Sequence, residues 1–196
     1  MQNASFRTIL DLIIFLGTVV SIIYISKKES FSKAIKYFTI QSNMFSAAAS
    51  LTCALFSLLS SVPRWLVIVK FAATCSVSVT FLTVFIYLGP RYKNWGFLLL
   101  ADAGLWLHLT GPVLAIVSLL LFKGSIQFPF AVSFVGLAPV VFYGMLYTKK
   151  VVLDPVEKRW EDLYGFCTGV NMALSTVLML VGSYIISLGL WALLSC

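Results

Sequence analysis

The sequence predicts an all-α integral membrane protein, a single domain over residues 1–196 folded as a bundle of six transmembrane helices. Three observations predict it. Hydrophobic residues make up 60% of the chain and charged residues only 11%, too little polar surface for a water-soluble domain of this size. The mean hydropathy is +0.99, and the apolar residues fall in long runs parted by turn formers. One crossing takes about 20 apolar residues, so six crossings joined by short links use the whole length.

The first run, Thr8 to Ser26, carries Asp11 near its start and lacks a small-residue cleavage site. It reads as a retained helix rather than a secretory leader. The second, Tyr37 to Leu59, ends before Pro63, and the third, Trp65 to Leu88, ends at Gly89-Pro90. Lys123-Gly124-Ser125 closes the fourth, Trp95 to Phe122, and Asp154-Pro155 follows the fifth, Phe128 to Thr148. The sixth is Tyr164 to Leu194. Trp65, Trp95, Trp160 and Trp191 fall near span ends, where indole rings suit the membrane interface.

Charge sets the expected orientation. Lys27, Lys28, Lys33, Lys36, Arg91, Lys93, Lys149, Lys150, Lys158 and Arg159 gather on one side, and Arg7, Arg64, Lys70 and Lys123 on the other, ten against four. Basic residues favour the cytoplasm, so both termini are expected outside it, in a cell-membrane protein. The net charge of +7 then serves topology and anionic headgroups of membrane lipids. No basic run with interleaved aromatics points to nucleic acid. The four cysteines, Cys53, Cys75, Cys167 and Cys196, form no C-x-x-C pair and indicate neither zinc nor a disulfide framework.

In lipid a polar side chain needs a protein partner or a wet cavity, so intramembrane polar residues carry the information. His108, the only histidine, lies in the fourth run in LWLHLTGP. A single imidazole excludes a bis-histidine haem or a His-rich metal site, and no metal or cofactor is expected. It leaves a core hydrogen-bonding residue, a base, a proton relay or a ligand. On the second run Thr39, Ser42, Asn43, Ser46 and Ser50 share one helical face. Such a face serves close helix packing, although the Asn43 amide is costly to bury unpaired. Ser76, Thr80 and Thr83 form a second stripe on the third run, and Asp102 enters the fourth six residues before His108, pointing elsewhere. Pro139 and Tyr143 stand one turn apart in the fifth, and KRWEDLYG, residues 158–165, suits a headgroup-level anchor. No nucleophile elbow, zinc-protease motif, P-loop or dinucleotide fingerprint occurs, so an active site would have to be assembled across helices. The same polar stripes also suit a non-enzymatic channel, carrier or lipid-binding protein, or a membrane assembly protein.

The YFTIQSN segment opening the second run, SVTFLTVFIYLGP in the third, and His108 with Pro112 in the fourth resemble the androgen-induced-gene family and its bacterial six-pass relatives. The similarity covers most of the chain in order and spacing. It implies an intramembrane threonine hydrolase cleaving fatty-acid esters of hydroxy fatty acids, with Thr39 as nucleophile and His108 as base. The chain departs from the animal enzymes at Gln41-Ser42-Asn43, where they carry an acidic residue, and at WEDLYGF, where an aromatic-Pro-aromatic segment is expected. Such chemistry needs an oxyanion stabiliser, with Asn43 first and Ser42, Ser76 and Thr80 behind it. Lys36 or Arg91 would meet a substrate carboxylate. The depths conflict: His108 lies roughly 18 Å inside the fourth run, whereas Thr39 follows Lys36 by one turn. A second helix beginning near Phe31 would reconcile them.

Overall fold

The computed structural model describes residues 2–93, 95–100, 102–124, 127–166 and 172–195, and every regular element among them is helical. The helices are α1 (Gln2–Glu29), α2 (Phe31–Ala34), α3 (Phe38–Leu59), α4 (Arg64–Thr83), α5 (Gly89–Tyr92), α6 (Trp95–Leu100), α7 (Gly111–Leu120), α8 (Val132–Val135), α9 (Ala138–Thr148) and α10 (Met172–Ser195). π-Helical turns follow α4 (Val84–Leu88), precede α7 (Trp106–Thr110) and extend α9 (Lys149–Leu153). Five helical stretches are long and apolar enough to cross a membrane: Ala4–Glu29, Phe38–Leu59, Arg64–Leu88, Val132–Leu153 and Met172–Ser195. Trp106–Leu120 is apolar but shorter.

Helix α4 is the axis of the bundle. Its residues from Lys70 through Thr80 are all buried, and Ala, Ser, Thr and Cys around the whole circumference let α3, α7, α9 and α10 close on it. Helix α1 packs against α3 and α7. Its pattern is inside out: Thr8, Asp11, Thr18 and Ser21 are buried, whereas Ile9, Ile13, Leu16, Val20 and Ile23 are exposed at helical spacing. Helix α10 repeats this, burying Ser175, Ser183 and Ser187 and exposing Leu174, Val177, Leu178, Val181 and Ile185.

Three expectations change. The fourth run is not one helix: after α6 the chain turns through Asp102 at φ +53°, and the long helical stretch begins beyond it. Asp102 does not enter the bundle. Its carboxylate accepts from Lys28 Nζ at 2.7 Å and the Tyr24 hydroxyl at 3.1 Å, which ties it to the end of α1. Lys70, counted among the basic residues of the sparse side, instead lies buried on α4 against Asp11. Finally, Tyr164 and Phe166 belong to a non-helical segment before α10. Cys167 and Cys196 lie outside the described residues.

Candidate active site

Helix α3 does not begin at Phe31. Ile35, Lys36 and Tyr37 separate α2 from it, and Tyr37, its N-cap, makes no side-chain capping bond. The first amides of a helix have no partner within it, and here they are satisfied from several directions. The N–H of Phe38 donates to the Tyr164 hydroxyl at 2.9 Å. Those of Ile40 and Gln41 donate to the Tyr37 carbonyl at 3.1 and 3.2 Å. Among the described residues, the N–H of Thr39 is the one left without such a bond.

Thr39 is half-buried and lines a cavity of about 460 Å³ between α3, α4, α9 and α10. The walls are mostly apolar, with Thr80 and Thr83 of α4, Tyr143 of α9 and Tyr164 contributing hydroxyls. Burial pushes the Tyr164 hydroxyl up to about 12, so it remains a neutral phenol at physiological pH. A second cavity of about 360 Å³ lies beside Gln41, Ser42 and Phe45. Phe38 and Tyr143, with ring centroids 5.0 Å apart, line both cavities.

Ser42 and Thr80 pair through their hydroxyls at 2.9 Å, and Ser42 also lies 3.1 Å from the Thr39 carbonyl. Asn43 Nδ2 donates to the carbonyls of Thr39 at 2.8 Å and Leu107 at 3.1 Å. Both amide protons are therefore spent on backbone, which removes Asn43 as a free oxyanion donor and makes it the bridge from α3 to the histidine segment. Ser76 Oγ donates to the Ala73 carbonyl at 2.7 Å and is fully buried. It serves its own helix, and it does not line the cavity.

His108 occupies the π-helical turn Trp106–Thr110. Pro112, four residues on, has no N–H for the His108 carbonyl, and its ring crowds that oxygen. The chain responds with the wider turn, in which the Gly111 N–H reaches the Trp106 carbonyl. A Cβ on Gly111 would stand only 2.9 Å from the Trp106 carbonyl oxygen, so the widened turn itself favours glycine there. The His108 ring is half-buried, and its Nδ1 is buried with no hydrogen-bond partner among the described residues.

The depth conflict disappears at the fourth run rather than the second. With Asp102 exposed at the end of α1 and the helical stretch beginning only beyond it, His108 lies in the first turns of that stretch, and Asn43 joins the histidine turn to Thr39 directly. No hydrogen bond joins Thr39 to His108 among the described residues, and His108 is not among the residues lining the Thr39 cavity. Lys36 Nζ lies 5.9 Å from the Trp160 ring centroid, and the Arg91 side chain lies outside the described residues. Sequence alone did not bring Tyr143 and Tyr164 together on the wall of this cavity. Their signal was present as a tyrosine one turn after Pro139 and another inside WEDLYGF, each taken separately.

Among the described residues no cluster of His, Cys, Asp and Glu could hold a metal ion. No protein-family model, curated protein or solved structure matches the chain.

Proposed function

We propose that this protein is an intramembrane carboxylic ester hydrolase with Thr39 as nucleophile and His108 as base. Its substrate class is fatty-acid esters of hydroxy fatty acids or similar lipid acyl esters. The observation that carries the reading is the conjunction at Thr39: a hydroxyl on the wall of a large apolar cavity, one amide side chain away from the histidine turn. Thr39 Oγ1 attacks the ester carbonyl while His108, directly or through one water, takes its proton. The C–O bond to the alcohol then breaks, and His108 returns the proton to the departing oxygen. Water hydrolyses the acyl-threonine, giving the acid and restoring the hydroxyl. The unengaged N–H of Thr39, at the positive end of α3, supports the developing oxyanion.

The same reading places the chain in the cell membrane with six crossings, Trp106–Leu120 being the sixth, and with both termini outside the cytoplasm. The apolar stripes on α1 and α10 would face lipid, from which the ester enters sideways. Purified protein in detergent should hydrolyse long-chain esters and react with a fluorophosphonate probe that phosphonylates an activated hydroxyl. Thr39→Ala and His108→Ala should each lower the rate by at least about 100-fold. Retained hydrolysis in either variant overturns the assignment.

A further inference from the structure

We infer that Tyr164, seconded by Tyr143, is the positioning residue of this site: it holds the start of α3 and thereby fixes where Thr39 stands against the cavity. The inference rests on the threonine reading above.

The chain leaves helical geometry at Tyr37, whose ψ is 135°, two residues before Thr39. Backbone groups exposed there among apolar walls need partners, and the local sequence offers no Ser, Thr, Asp or Asn at the cap to supply one. Two distant tyrosines supply them instead. Tyr143, 107 residues away, donates its hydroxyl to the Lys36 carbonyl at 2.9 Å. Tyr164, 126 residues away, accepts the Phe38 N–H at 2.9 Å. The two bonds bracket the link.

Tyr164 is itself held from several sides. Gly165, at φ +67°, turns the chain just after it. The Tyr164 carbonyl accepts from the Tyr87 hydroxyl at 3.3 Å, the Tyr164 ring stacks on Phe166 at 5.4 Å, and Tyr143 meets it edge-on at 6.4 Å. Asp162 Oδ1 braces the turn by accepting the Tyr147 hydroxyl at 2.5 Å and the Phe166 N–H at 3.0 Å. Since Tyr164 also lines the cavity, one phenol is at once wall and helix cap. An ordinary Ser or Asp cap would hold the helix without coupling it to whatever fills the cavity.

The test uses purified full-length protein and a long-chain ester. Tyr164→Phe keeps the ring and removes only the hydroxyl. Its kcat should fall roughly 10- to 100-fold, the scale on which small misplacements of a reacting group act, with KM little changed and with faster hydrogen–deuterium exchange over residues 36–41. Tyr143→Phe should act in the same direction to a smaller extent, and it carries the test if Tyr164→Phe does not fold. Wild-type kcat in the folded Tyr164→Phe variant, or a defect confined to KM, overturns the inference. If the wild type hydrolyses nothing, or Thr39→Ala is as active as wild type, the threonine reading has failed instead. Exchange then decides alone: unchanged protection of residues 36–41 in Tyr164→Phe refutes the positioning role as well.

Discussion

Lys70 and Asp11 meet in the interior with side chains only 2% and 0% exposed. Lys70 Nζ lies 2.5 Å from Asp11 Oδ1 and donates to Ser50 Oγ at 3.1 Å, and the Ser118 hydroxyl donates to the same carboxylate oxygen at 2.6 Å. Four helices, α1, α3, α4 and α7, are pinned at one point. Burying each charge costs several kcal/mol, offset only while the partner is present. Asp11→Asn or Lys70→Met alone should therefore destabilise by about 3–5 kcal/mol, read as a lower midpoint in a denaturing-detergent titration. Asp11→Leu with Lys70→Met should recover most of the loss. A double variant no better than either single would show that the helices depend on the charges themselves. The polar stripe from Thr39 to Ser50 was legible from spacing alone, because helical periodicity gathers it on one face. The ion pair was not, although each partner is a lone charge in an apolar run. Pairing lies in the tertiary arrangement, which no local pattern encodes.

At the scale of elements, each of the three π-helical turns ends immediately before a residue–proline pair. Val84–Leu88 precedes Gly89-Pro90, Trp106–Thr110 precedes Gly111-Pro112, and Lys149–Leu153 precedes Asp154-Pro155. The missing amide of proline frees the carbonyl four residues earlier, and widening the turn accommodates it without ending the helix in the first two cases. Those prolines could be read as breakers or as kinks, and only packing decides which. The break at Asp102 was illegible for a similar reason, since the pull comes from Lys28, 74 residues away. That hydrogen bond, with Tyr24 beside it, holds the Asp102 carboxyl below its ordinary range, so the tie is complete at neutral pH and is released as pH falls through the lowered value. Close helix approach gives a sharper test. A Cβ on Gly136 would stand 2.2 Å from Ser187 Oγ and 2.7 Å from Cys75 Sγ, so Gly136→Ala should push α8 from α10 and cost about 1–3 kcal/mol. Gly189→Ala meets nothing within 4 Å and should be neutral or slightly stabilising. Equal thermal stability of the two variants would contradict this packing.

For the whole molecule, composition and run length made the helical class and most long helices legible, because transfer into an apolar phase depends on little else. On the proposed six-crossing topology, removing buried Lys70 from the four basic residues of the sparse side leaves three against ten. On the proposed topology, Ser61→Cys should react with a membrane-impermeant maleimide on intact cells, whereas Lys149→Cys should react only after lysis. Reversed labelling would invert the orientation and leave the fold intact.

The shortness of Trp106–Leu120 bears on the surrounding lipid. Its fifteen residues, five in the π-helical turn and ten in α7, span roughly 22 Å, against a hydrocarbon core of about 30 Å. On the six-crossing topology, the bilayer beside this segment has to thin by several ångströms, at a modest cost for each. That dimple would lie at the level of His108, drawing headgroups and water toward the one imidazole. Vesicles of short-chain phospholipid, already matched to the segment, should then support faster turnover than thick ones.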